Sequence, residues 1–249
     1  MTELKLDSFD EGLNVAVIGA SGAIGKAMIH LLDQVAKVNR IYAFSRSGVA
    51  LDPANKTDFQ YMDLLDESSI ANGAEQIADP LDLVIITTGI LHEGESLKPE
   101  KCIKDFQPDH FARIFAINTT GPAMVAKYFL PKVARNRKNV FAVLSGRVGS
   151  ISDNQLGGWY AYRASKAALN MIIKTLAIEI ARKNKSSIIV GLHPGTVDSR
   201  LSMPFQSGVP EGKLFSADFA AEQLLKVIDQ LSPGDSGHMV AWDGERLPF

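Results

Sequence analysis

Short β-branched runs alternate with helix-spaced apolar residues along almost the whole chain, and this alternation constrains the fold more than any other feature. Asn14 to Ile18 is the first such run and enters Gly19. Ile24, Ala27, Met28, Leu31, Leu32 and Val35 then recur at helical spacing. Arg40 to Phe44 and Phe59 to Met62 read as the next two strands, and Asp66 to Ala78 as a helix. Leu81 to Ile86 is an unbroken apolar run, as expected of a strand buried on both faces. Pro108 to Leu130 predicts a long helix with a break around Gly121-Pro122, because proline has no N–H for the helical ladder. Asn139 to Leu144 is a fifth strand, Trp159 to Arg182 a long helix, and Ser187 to Leu192 a sixth strand stopped by Pro194-Gly195. Ser216 to Leu231 predicts a helix capped by Ser216, and His238 to Trp242 a last strand. Such alternation implies right-handed βαβ crossovers and a doubly wound parallel α/β sheet of about seven strands with helices on both faces. No proline-rich or glycine/serine-rich linker and no repeat divides the 249 residues, so 1–249 is expected to be one domain. The irregular stretch 196–215 carries Leu201, Met203, Phe205 and Val209 and reads as a substrate lid.

Composition narrows the partners. A net charge of −2 gives no ground for a nucleic-acid or anionic-membrane partner. Met1 to Asn14 has no apolar signal-peptide core, and the longest apolar runs are far too short to span a membrane. One cysteine, Cys102, excludes an internal disulfide and points to a reducing compartment, so a cytoplasmic location is expected. The five histidines, His30, His92, His110, His193 and His238, lack metal-ligand spacing and read as ordinary surface or core residues.

Three segments carry chemistry. Gly19-Ala20-Ser21-Gly22-Ala23-Ile24-Gly25 lies between the first strand and the first helix, where glycines let the backbone approach a pyrophosphate and the helix N-terminus offers free N–H groups. At the end of the second strand a carboxylate would suit the ribose hydroxyls of NAD. Ser45-Arg46 stands there instead, and a guanidinium suits the 2′-phosphate of NADP(H), which is expected over NAD(H). Tyr162 and Lys166 lie four residues apart on a helix, hence on one face. A phenol with a reference pKa of about 10 is a poor acid, and a nearby ammonium favours its phenolate. Tyr160 has Ala164 at the matching position and lacks that partner.

Taken together, these motifs and their order resemble the short-chain dehydrogenase/reductase family of single-domain, Rossmann-type oxidoreductases. Gly19 to Gly25 matches the cofactor glycine motif, and Asp63-Leu64 the acidic position that contacts adenine. Thr87-Thr88-Gly89 stands where the family has Asn-Ala-Gly, and Asn118 matches the asparagine within the fourth helix. Tyr162-x-x-x-Lys166 matches the catalytic pair, and Pro194-Gly195-Thr196-Val197 the turn that holds the nicotinamide carboxamide. The stretch 157–166 is similar to the group that includes C-factor and the Sniffer carbonyl reductases. The resemblance implies hydride transfer between NADP(H) and an apolar carbonyl or alcohol substrate. Tyr162 passes the proton, Lys166 lowers its pKa and bonds the ribose, and Asn118 holds a relay water. It also implies a homodimer or homotetramer formed through the two long helices.

Three departures stand out. The family's middle glycine falls on Ala23, with Gly22 expected to supply the flexibility, and Thr87 replaces an asparagine. More seriously, Leu144-Ser145-Gly146-Arg147-Val148-Gly149 puts Gly146 where the family carries its catalytic serine. Ser145 is expected to point to the other side of the strand end, leaving Ser150, Ser152 or a water as substitutes. That gap sustains a second reading, an NADP(H)-binding sensor or signalling protein. A nucleotide-sugar epimerase or dehydratase is disfavoured by the short chain.

Overall fold

The computed structural model describes residues 4–47 and 56–249. Met1 to Glu3, part of the N-terminal stretch read for a signal core, lie outside the described residues. The elements are β1 (Leu13–Ile18), α1 (Ala23–Gln34), β2 (Val38–Ser45), β3 (Thr57–Tyr61), α2 (Glu67–Glu75), β4 (Leu83–Ile86), α3 (Pro108–Phe115), α4 (Gly121–Phe129), β5 (Asn139–Leu144), α5 (Tyr160–Ala181), β6 (Ser187–His193), β7 (Thr196–Val197), β8 (Leu214–Phe215), α6 (Ala217–Gln230), β9 (Met239–Ala241) and β10 (Arg246–Leu247).

Eight strands form one sheet in the order β10-β9-β6-β5-β4-β1-β2-β3, parallel except for the antiparallel β9–β10 pair. The extra strand over the expected seven is β10, a two-residue piece too short to leave a periodic signal. Every residue of β1, β4 and β5 is buried, as a sheet covered on both faces requires. On one face β-strand residues such as Val15, Val17 and Ile85 join Met28 and Leu32 of α1 and Leu224 and Ile228 of α6. On the other, Ala16, Val84 and Phe141 pack with Ile70 of α2, Phe129 of α4 and Ile173 of α5.

Chain order reverses between β1 and β4, which are paired side by side. In doubly wound sheets the crevice at such a switch point, past the carboxyl ends of the strands, is where ligands bind.

The long helix expected over 108–130 is in two pieces. α3 ends at Phe115, a wide π turn spans Ala116–Thr120, and α4 starts at Gly121 with Pro122 in its first turn. Pro122 has no N–H to return to the Asn118 carbonyl four residues back, so the ladder is disrupted upstream of the proline rather than at it. α5 starts at Tyr160 rather than Trp159, whose φ of 51° is left-handed. Ser216 caps α6 as expected, its hydroxyl accepting from Phe219 N at 3.1 Å. β7 and β8 pair in parallel and tie the two ends of the 196–215 segment together.

Candidate active site

The glycine-rich turn is shaped by backbone contact. Gly19 has φ +94°, and a Cβ there would come within 2.6 Å of Thr87 Oγ1. A Cβ on Gly25 would run into the Gly19 carbonyl oxygen. Thr87 holds this junction together: its hydroxyl hydrogen-bonds the Ile18 and Gly19 carbonyls at 3.0 and 3.1 Å. The Gly19 carbonyl also accepts from Gly22 N at 2.9 Å. Gly22 caps α1 in an extended conformation (φ −73°) without a side-chain cap, so left-handed freedom is not what it contributes. It offers the α1 N-terminus no side-chain cap, and Ala23 and Ile24 form its first turn.

A groove of about 210 Å³ runs from this turn along the strand ends. Gly19, Ser21, Gly22, Ser45, Arg46, Asp63, Leu64, Thr88 and Gly89 all line it. Arg46 is exposed at the end of β2, and the Asp63 carboxylate accepts from Leu65 N at 3.1 Å. Thr88 Oγ1 is buried and has no hydrogen-bond partner among the described residues. At Gly89 the groove comes up to Lys166. A Cβ on Gly89 would lie 3.5 Å from both Lys166 Nζ and Asn118 Oδ1.

Tyr162 is 9% exposed and Lys166 3%. Lys166 Nζ donates to the Leu144 carbonyl at 2.9 Å and sits 5.9 Å from the Tyr162 ring centroid. Burial pushes the Tyr162 phenol up to about 12 and pulls the Lys166 ammonium down to about 8. This corrects the expected direction for the tyrosine: removal from water outweighs the ammonium one turn away.

Asn118 is fully buried. Its Oδ1 accepts from Ile90 N and its Nδ2 donates to Ile90 O, both at 2.8 Å, and Nδ2 also reaches Ser165 Oγ at 3.2 Å. Its side chain therefore clamps the β4 loop to α5. Pro194 to Val197 follows β6 and packs under Phe215: a Cβ on Gly195 would fall 2.6 Å from that ring.

The serines near Gly146 are all committed elsewhere. Ser145 Oγ donates to Asn170 Oδ1 at 2.7 Å on the far side of the strand end, as expected from strand alternation. Ser150 Oγ accepts from Asp153 N at 3.2 Å, and Ser152 Oγ donates to the Phe249 carbonyl at 3.0 Å. Neither hydroxyl lies within 4 Å of where a Cβ on Gly146 would stand. Aromatic residues flank the tyrosine instead: Trp159 lies 6.3 Å from Tyr162 and 4.9 Å from Phe205, centroid to centroid. His92 meets Phe205 edge to face at 5.8 Å and its Nε2 bonds the Arg200 carbonyl at 3.0 Å, docking the 196–215 segment.

Two residues escaped the sequence reading. Glu100 covers the start of α5, its Oε2 accepting from Ala161 N at 3.2 Å, and nothing in its surroundings in sequence marks it. His193 ends β6 beside Gly146, and its place directly before Pro194-Gly195 was the available signal. Among the described residues no cluster of His, Cys, Asp and Glu could hold a metal, and no helix is long and apolar enough to cross a membrane.

The chain is similar to several known proteins. C-signal of Myxococcus xanthus is 35% identical over 138 residues, 55% of this chain and 78% of that protein. The 1-hydroxy-2-glutathionyl-2-methyl-3-butene dehydrogenase of Rhodococcus sp. (strain AD45) is 29% identical over 238 residues, 94% of this chain and 99% of that protein. The NADPH-bound carbonyl reductase from chicken fatty liver superposes with a TM-score of 0.82 at 22% identity, covering 97% of this chain and 96% of that one. The short chain dehydrogenase family pattern matches residues 13–209, so the chain belongs to the short-chain dehydrogenase family of oxidoreductases.

Proposed function

We propose that this chain is an NADP(H)-dependent reductase of apolar, aromatic carbonyl compounds, with Tyr162 as proton donor. The observation that supports the reading is the approach of the groove, at Gly89, to the buried Lys166, which lies one turn from Tyr162 on α5. A dinucleotide fits the residues present. The uncapped α1 N-terminus suits a pyrophosphate, the unpartnered Thr88 hydroxyl suits a polar ligand atom, and the Arg46 guanidinium suits a 2′-phosphate. The chicken relative in the fold was solved with NADPH, which agrees with that choice. Asp63 and Leu64 would flank the adenine, and Pro194 to Val197 the carboxamide.

When bound, the nicotinamide supplies the hydride that reduces the carbonyl carbon to an alcohol. The chain's own residues handle the oxygen. With its pKa held near 12, Tyr162 is fully protonated at neutral pH and can give its proton to the forming alkoxide. Lys166 then stabilises the phenolate and would hold the ribose of the bound dinucleotide. The relay water expected at Asn118 falls to that residue's backbone carbonyl, because its side chain is committed to Ile90 and Ser165. Trp159, Phe205 and His92 form an apolar aromatic wall beside Tyr162, which favours a flat substrate.

The test is a fluorescence titration with NADPH and NADH, then a panel of aromatic ketones, aldehydes, quinones and ketosteroids. NADPH should bind more tightly than NADH, and at least one carbonyl should be reduced. Arg46→Ala should remove about 10- to 100-fold of the NADPH preference, the worth of one charge-assisted contact. Tight NADPH binding with no turnover on any carbonyl would favour a sensor instead.

A further inference from the structure

Gly146 is not glycine for a backbone reason. Its φ of −178° is ordinary extended chain, which any residue adopts. Nor is it glycine for lack of room: a Cβ there would meet Val148 Cγ1 at 3.5 Å and His193 Nδ1 at 3.8 Å, both ordinary contacts. The space a side chain would fill at this position is therefore faced by an imidazole nitrogen. The same strand ends hold the dyad, since Leu144, whose carbonyl takes the Lys166 ammonium, pairs with Leu192, the residue before His193.

His193 is fixed and uncommitted. Its backbone carbonyl accepts from Trp242 N at 2.9 Å, while its ring nitrogens hydrogen-bond nothing among the described residues. Burial, with Arg147 nearby, pulls it down to about 4 against an opposing pull from Asp243, so the ring is neutral at pH 7. A neutral imidazole offers one N–H donor and brings no charge that would compete with the Lys166 ammonium. Neutral imidazoles polarise carbonyls in other enzymes by this means.

We infer that His193 stands in for the serine hydroxyl that Gly146 lacks: its imidazole N–H donates to the carbonyl oxygen that Tyr162 protonates. The oxygen then receives two donors, one from β6 and one from α5. This rests on the reductase reading above and adds to it a catalytic residue from a neighbouring strand. Removing one positioned donor from a developing oxyanion lowers turnover about 100- to 1000-fold.

The test compares wild type, His193→Ala and the double variant Gly146→Ser/His193→Ala. His193→Ala should lose about 100-fold or more in kcat with NADPH affinity within a few-fold of wild type. Gly146→Ser should restore much of that loss, because it returns a hydroxyl to the same space. A second readout needs no turnover: the ring 15N resonances of His193 should move when acetophenone, an aromatic ketone, is added to the protein with NADP+. Unchanged kcat in His193→Ala overturns the inference, as does a loss that Gly146→Ser leaves unrepaired. If wild type reduces no carbonyl, the reductase reading fails by itself, and unmoved His193 resonances then overturn this inference separately.

Discussion

His193 shows how burial sets the chemistry of a single side chain here. In the unfolded chain it titrates near its ordinary 6.5, and in the fold near 4. Between those values the unfolded state binds more protons than the native state, so stability falls as pH drops from about 6.5 to about 4 and levels off below. The shift corresponds to up to about 3 kcal/mol. Urea denaturation of wild type and His193→Gln across pH 4 to 7 should show the wild-type curve falling more steeply. Parallel curves would contradict the burial of a neutral imidazole. Tyr162 follows the same physics in the other direction. Helical spacing alone favours a lowered phenol pKa, yet burial raises it. Spacing is legible in a sequence, whereas depth beneath the surface depends on the packing of Trp159 and Phe205, two residues distant from one another along the chain.

Asn118 is where the elements are joined. Its amide binds both backbone groups of Ile90 on the β4 loop and the Ser165 hydroxyl on α5, and the adjacent Thr119 hydroxyl donates to the Ser165 carbonyl at 2.8 Å. Asn118→Ala would strand the two Ile90 groups in the interior. It should destabilise the protein by about 2 to 4 kcal/mol and reduce turnover, because the Gly89–Lys166 junction loses its brace. Equilibrium unfolding checks this, and a change below about 1 kcal/mol would contradict the clamp. Most elements were legible because they obey local rules: β1 and β4 from apolar runs, α6 from its Ser216 cap, the α1 turn from its glycines. The π turn at Ala116–Thr120 was legible only as a break, since Pro122 announces a missing N–H but not which way the upstream ladder relaxes. β10 pairs only through Arg246 and Leu247, and its existence depends on β9 being beside it.

At the scale of the molecule, sheet order brings together groups spread from Gly19 to Lys166. The reversal between β1 and β4 opens the groove, and beside its Gly89 end the Leu144 carbonyl at the end of β5 holds Lys166 of α5. Ordered motifs made the fold class and most groove-lining positions legible. What they could not reveal was the content of the gap at Gly146, because His193 reaches it across a strand pair, not along the chain. The central claim is that this assembly reduces carbonyls through the Tyr162 proton. Its most direct measurement is steady-state NADPH oxidation by Tyr162→Phe on a carbonyl that wild type reduces, with NADPH affinity followed by fluorescence. Turnover should be abolished with NADPH binding intact, and turnover equal to wild type would contradict the account.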